Sequence, residues 1–163
     1  MIKTIFILAV IFGVCLGFST DNKDAYTLIE SATPGILGAI LGGITAGISI
    51  IFSVLLTTAS SPNSKVNLSA FTGFLASLKK DILLLLMCLV LSLLLPYLRV
   101  TGIPLLNYPI HELLPTRDTF YTAVELTIIM LSIALIVEVF NVIFTLFSHF
   151  STLLNQDDSE NVS

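Results

Sequence analysis

Residues 33–53 read TPGILGAILGGITAGISIIFS. The segment is apolar enough to cross a lipid bilayer, yet five of its residues are glycine. Glycine is a poor helix former in water and has no side chain to bury. In lipid, however, helices associate through close backbone contact rather than through the hydrophobic effect, and glycine permits that contact. The segment therefore predicts a membrane-spanning helix that packs tightly against another helix.

The small residues of this segment recur on one face of the predicted helix. An α-helix turns by about 100° per residue, so a first row of these small residues covers about 80° of the helix circumference. It contains Gly35, Gly38, Gly42, Ala46, Ser49 and Ser53, and a neighbouring row contains Ala39, Gly43 and Gly47. Both rows include the spacing G-x-x-x-G. The partner helix is either in the same chain or in a second copy, and a chain this small favours a homo-oligomer.

The composition is that of an integral membrane protein. The 163 residues are 55% hydrophobic and only 11% charged, with a mean hydropathy of +1.00, whereas soluble domains are about 25% charged. The net charge of -4 comes largely from the final segment NQDDSENVS, and no basic stripe is present. Direct binding to nucleic acid is therefore not expected.

Four apolar blocks predict an all-α membrane protein with about four transmembrane helices. They cover about residues 4–18, 34–58, 82–98 and 120–154. Thr33 and Pro34 suit the N-cap and N1 positions, so the second helix is expected to begin there. Residues 1–154 form one predicted membrane domain, and 155–163 form an acidic cytoplasmic tail. The first block also resembles a secretory signal peptide, but the lack of a clean cleavage site favours an uncleaved span.

The distribution of Lys and Arg predicts the orientation. With four spans, one side of the membrane carries Lys3, Lys65, Lys79 and Lys80, and the other carries Lys23, Arg99 and Arg117. The excess on the first side places both termini in the cytoplasm.

An amphipathic interfacial helix is predicted between spans 2 and 3. Phe71, Phe74, Leu75 and Leu78 recur at helical spacing, and Lys79 and Lys80 follow them. We interpret Phe71, Phe74, Lys79 and Lys80 as contacts with the membrane surface or with a cytoplasmic protein. Phe144 and Phe147, at the inner end of the fourth block, are assigned the same role, although packing within the bundle would also explain them.

The fourth block contains two acidic residues, Glu125 and Glu138, at depths where a carboxylate usually marks a function or a specific partner. They face different directions, so they are not a catalytic pair. Glu125 is expected to have a structural partner, either Arg99 or Arg117. A polar stripe on the inner half contains Glu138, Asn141, Thr145 and His149. It either lines a wet cavity or pore, or makes interhelical hydrogen bonds and ordinary solvent contacts.

No catalytic, cofactor or metal site is predicted. Cys15 and Cys88 each lie within an apolar block, away from other metal ligands. His111 and Glu112 begin like the zinc-protease motif H-E-x-x-H, but Pro115 occupies the position of the second histidine. The chain is therefore predicted to be non-enzymatic.

This layout of about four spans, a glycine-rich second helix, an amphipathic linker and a helical end resembles the membrane subunit of the Kiwa anti-phage defence system of bacteria. The resemblance implies a homotetrameric membrane sensor of phage infection that partners a cytoplasmic, DNA-binding effector subunit. It assigns no site residues. The predicted function is a homo-oligomeric scaffold or sensor in contact with membrane lipid and with a cytoplasmic protein. The alternative is a small channel or holin-like pore lined by the fourth span.

Overall fold

The computed structural model describes the backbone of residues 2–59, 68–102 and 114–160, and the side chains of residues 5–53, 73–102, 114–146 and 148. Four helices account for nearly all of these residues. They are α1 (Ile2–Phe18), α2 (Lys23–Ala59), α3 (Leu68–Thr101) and α4 (Arg117–Glu160). No strand occurs in the described ranges, so the all-helical class is confirmed.

Three helices contain segments that are long and apolar enough to cross a membrane. These segments are Lys23–Ser53 in α2, Gly73–Thr101 in α3 and Arg117–Leu146 in α4. The predicted multi-pass membrane class is therefore confirmed. Helix α1 is apolar but has only 17 residues. At 1.5 Å per residue it is about 25 Å long, slightly less than the hydrocarbon core of a bilayer. A fourth span remains a prediction.

Helices α3 and α4 form the central pair, α1 packs on α4, and α2 packs mainly on α3. Arg99, near the end of α3, contacts Thr122 near the start of α4, whereas Leu78 and Ile143 line one small cavity. The two helices are therefore antiparallel. We refer to the two ends of the bundle as the Arg99 end and the Lys79 end.

The core follows a seven-residue spacing along the three long helices. Such spacing keeps one side of each helix facing its neighbours, as in a coiled coil. On α2 one buried or half-buried row contains Glu30, Leu37, Ile44 and Ile51. On α3 one buried row contains Leu78, Leu85, Ser92 and Arg99, and a second contains Asp81, Cys88 and Leu95. On α4 one buried row contains Tyr121, Ile128 and Leu135, and a second contains Glu125, Ser132 and Val139. Polar residues thus occupy positions in otherwise apolar rows.

The predicted start of the second helix is wrong. Helix α2 begins at Lys23, and the Asn22 side chain caps it by accepting a hydrogen bond from the Asp24 amide at 3.0 Å. Pro34 lies inside the helix and has no N–H to donate to the carbonyl of Glu30. In the same turn, the Thr33 hydroxyl donates to the Ile29 carbonyl at 2.8 Å. The helix continues through Pro34 because its first turns are held by contacts with the rest of the bundle.

The predicted amphipathic helix between spans 2 and 3 is the first part of α3 and is continuous with the third apolar segment. Helix α3 runs without interruption from Leu68 to Thr101. Phe74 and Leu78 line a cavity with residues of α2 and α4, so this apolar face packs in the bundle. At the other end of the chain, α4 continues to Glu160, through the predicted domain boundary after residue 154.

Candidate functional site

A group of charged and aromatic side chains is buried at the Arg99 end of the bundle. Three helices contribute the charges, namely Glu30 from α2, Arg99 from α3 and Glu125 from α4. Tyr26, Tyr121 and Thr122 surround them. We call these six residues the Arg99 cluster. Each charged member falls in a seven-residue row of its helix, so the packing of the bundle itself brings the charges together.

Arg99 forms a close ion pair with Glu30 and a longer one with Glu125. Its Nε lies 2.7 Å from Oε1 of Glu30, and its Nη2 lies 3.9 Å from Oε2 of Glu125. The N–H group of Nε does not point at the Glu30 oxygen, so the short contact is an ion pair without hydrogen-bond alignment. The side chain of Glu125 is only 1% exposed. Glu30 is therefore the primary partner of Arg99, and Glu125 is the more deeply buried one.

The guanidinium group also lies against aromatic rings. Cζ of Arg99 is 3.8 Å from the ring centroid of Tyr26 and 5.9 Å from that of Tyr121. A guanidinium over an aromatic face is attracted by the ring quadrupole, and the attraction strengthens when water is excluded. Tyr26 comes from the part of α2 that precedes Pro34, so this contact helps to hold those first turns.

Thr122 connects the cluster to the link between α1 and α2. Its Oγ1 accepts a hydrogen bond from Nη2 of Arg99 at 3.2 Å. The same hydroxyl lies 3.0 Å from the carbonyl oxygen of Thr20 and 2.9 Å from that of Asp118, and its single hydrogen serves these two acceptors. A displacement of the α1–α2 link would therefore disturb the environment of Arg99 directly.

The charges of the cluster do not balance. Two carboxylates face one guanidinium, and neither oxygen of Glu125 has a hydrogen-bond partner among the described residues. Burying an incompletely compensated charge is costly in a low-dielectric interior. Ionisable groups kept within membrane helices at such a cost usually serve a function. The Arg99 cluster is therefore the candidate functional site.

The structure selects one of the two predicted partners of Glu125. Arg99 is within ion-pair distance, whereas Arg117 is exposed at the start of α4. Sequence analysis missed Glu30, because Pro34 was interpreted as the beginning of the helix. The sequence does contain a signal for Glu30: it lies seven residues before Leu37 and fourteen before Ile44, and so on the same face of the helix.

The predicted polar stripe of α4 lies apart from the cluster. Glu138 is 13 positions beyond Glu125, about 20 Å along the helix axis. The side chains of Glu138, Asn141 and Thr145 are exposed, and the Thr145 hydroxyl donates to the Asn141 carbonyl at 2.8 Å. The side chain of His149 lies outside the described residues. In a single chain, the described part of this stripe therefore faces away from the core.

The small-residue face of α2 also points away from the rest of the chain. The core contacts of α2 come from Leu37 and Ile44 on its other side. A Cβ atom built on any of the stripe glycines would meet no atom within 4 Å, and Ala46 and Ser49 are exposed. These glycines are Gly35, Gly38, Gly42, Gly43 and Gly47. Within the described residues, no helix of the same chain packs on this face.

The remaining predicted contact residues lie at the Lys79 end of the bundle, in the first part of α3 and the later part of α4. Phe74 is half-buried, while Lys79, Lys80 and Phe144 are exposed. The side chains of Phe71 and Phe147 lie outside the described residues. Among the described residues, no group of three or more His, Cys, Asp or Glu side chains is arranged to hold a metal ion.

No family model, curated protein sequence or solved structure matches this chain.

Proposed function

We propose that this protein is a non-enzymatic, homo-oligomeric membrane scaffold or sensor that recruits a cytoplasmic protein. The observation that carries the proposal is the small-residue face of α2, on which no other helix packs among the described residues. Small residues along one helix face are what close helix association in lipid requires. A second copy of the same chain supplies an identical face and so gives each stripe a partner.

The proposed arrangement has four spans, with α1 as the first and with both termini in the cytoplasm of a bacterium. In this arrangement the apolar block of α4 runs to about residue 154, and the helix ends at Glu160. Phe140 and Phe144, on the part of α4 that leads to this end, are exposed. A helix with exposed aromatic side chains near its cytoplasmic end is suited to docking a soluble protein.

The Arg99 cluster gives the proposed sensor a point at which an external stimulus could act. It joins the α1–α2 link to α2, α3 and α4 through one guanidinium and one threonine hydroxyl. A ligand that moved α2 at this end would change the balance between Glu30 and Glu125. The resemblance to the Kiwa membrane subunit supports a role in anti-phage defence, a tetrameric assembly, and a separate cytoplasmic effector that binds DNA.

Purification of the tagged, full-length protein from its host in a mild detergent tests the proposal. We expect a mass corresponding to several copies of the chain and a soluble protein that co-purifies in fixed stoichiometry. A monomer would contradict the assembly. A homo-oligomer without any companion would contradict recruitment and would favour a pore.

A second candidate function, a homo-oligomeric channel or holin-like pore, is favoured by the exposure of Glu138 on α4. A ring of such carboxylates would attract cations. For a scaffold, we expect Glu138→Gln to leave assembly and co-purification unchanged and to cause no change in ion flux through reconstituted bilayers. A loss of cation conductance in Glu138→Gln, with conductance kept in Glu138→Asp, would establish the pore instead.

A further inference from the structure

Two lysines and an apolar groove lie together on the outer face of α3. The groove has a volume of about 380 Å³ and is lined by Ala76, Lys79, Lys80, Leu83, Leu84 and Met87. All six side chains are exposed. The groove opens on the side of α3 opposite Leu85 and Ser92, which face the core.

The two ammonium groups of this groove have no acidic partner in the chain as described. Both ion pairs formed by the described residues belong to Arg99, at the other end of the bundle. Asp81 follows Lys80 in sequence, but it is buried at 3% exposure and lies on the core side of α3. Within the part of the chain that the structure describes, the groove therefore presents two uncompensated positive charges.

The order of residues along α3 matches the order of groups in a phospholipid. After Asp81, residues 82–98 contain no charged side chain over about 26 Å, which places Lys79 and Lys80 at the level of the headgroups. Leu83, Leu84 and Met87 continue from the lysines toward the hydrocarbon region. A phosphate would meet the ammonium groups while an acyl chain followed the apolar part of the groove.

We propose that this groove is a binding site for an anionic phospholipid of the leaflet at the Lys79 end. The charge selects the lipid: a zwitterionic headgroup brings its own cation toward the lysines, whereas an anionic headgroup does not. Membrane-proximal lysines strengthen association with anionic lipid by roughly fivefold each.

Native mass spectrometry of the full-length protein, titrated with phosphatidylglycerol or phosphatidylcholine, tests this site. We expect phosphatidylglycerol to bind more tightly than phosphatidylcholine to the unmodified protein. The double variant Lys79→Gln/Lys80→Gln should bind phosphatidylglycerol roughly thirtyfold more weakly. Lys79→Arg/Lys80→Arg should retain binding, and Arg117→Gln, an exposed cation at the opposite end, should not change it.

Three results would overturn the proposal. One is equal affinity of the unmodified protein for the two lipids, and another is phosphatidylglycerol binding in the double glutamine variant that matches the unmodified protein. The third is loss of a co-purifying acidic protein from that variant with lipid binding intact, which would make the groove a protein docking surface. The salt dependence of phosphatidylglycerol binding to the unmodified protein is a further measurement that needs no variant. Binding to exposed charges must weaken as ionic strength rises.

Discussion

Replacement of Arg99 by leucine is expected to lower the free energy of unfolding by about 3–5 kcal/mol, because it leaves two buried carboxylates without a cation. The aromatic contact with Tyr26 and the hydrogen bond to Thr122 are lost in the same variant. The measurement is unfolding of the purified protein in detergent by heat or denaturant. Arg117→Leu is the matched control, because it removes the same side chain from an exposed position and should change stability little.

The two carboxylates of the cluster should respond differently to amide substitution. Glu30→Gln removes the ion-pair partner at 2.7 Å and leaves Arg99 with a partner at 3.9 Å, so it should be destabilising. Glu125→Gln removes a charge that has no hydrogen-bond partner among the described residues, so it should cost less than Glu30→Gln or even stabilise the protein.

Combining substitutions separates charge from packing. Glu125→Gln should recover part of the stability lost in Arg99→Leu, because the double variant contains one buried carboxylate instead of two. The size of this non-additivity measures the coupling between the two residues. If Arg99→Leu were no more harmful than Arg117→Leu, or if Glu125→Gln failed to rescue it, the interpretation of the cluster as an electrostatic site would be wrong.

The membrane class and the helical fold follow directly from hydropathy, because in lipid a chain satisfies its backbone groups within helices. The helix boundaries do not follow as easily. Pro34 is favourable at the first turn of a helix, and that local preference predicted a start at Thr33. In the structure, contacts of Tyr26 and Glu30 with Arg99 hold the earlier turns, and such contacts depend on the packing of three helices. Tertiary contacts outweighed the local signal.

Two of the three charged residues of the Arg99 cluster, Arg99 and Glu125, were accessible to sequence analysis. The pairing of Glu125 with Arg99 was one of two predicted alternatives, since an acid within an apolar block requires a partner. Glu30 was not found, because the predicted helix excluded it. The seven-residue rows that contain Glu30, Arg99 and Glu125 would have placed all three on core-facing sides of their helices. The packing order of the helices, by contrast, cannot be obtained from periodicity.

The first part of α3 likewise could be predicted as a helix, but its surroundings could not. The spacing of Phe71, Phe74 and Leu78 correctly indicated a helix, but the adjacent lysines suggested that it lay on the membrane surface. The structure extends this helix into the span, and Phe74 and Leu78 meet α2 and α4 rather than the lipid surface. An amphipathic pattern identifies an apolar face. It does not identify what covers that face.

Substitution of a stripe glycine by leucine should dissociate the proposed homo-oligomer without unfolding the chain. Leucine is a better helix former than glycine, and a Cβ atom at Gly42 or Gly43 would meet no neighbouring atom of the described residues within 4 Å. The added side chain would instead hold the partner helix away and remove close backbone contact. We expect the dissociation constant to rise at least tenfold, equivalent to about 1.4 kcal/mol, as measured by mass over a dilution series in detergent.

Gly42 and Gly43 belong to different rows of small residues, so the two variants also identify the row that makes the contact. Gly13→Leu on α1 is the matched control, because a Cβ atom at Gly13 likewise meets no neighbouring atom of the described residues within 4 Å and Gly13 lies outside both rows. If Gly42→Leu and Gly43→Leu both kept the mass and the dilution behaviour of the unmodified protein, α2 would not be the assembly face. The cost of placing so many glycines in one membrane helix would then need another explanation, such as contact with a different protein.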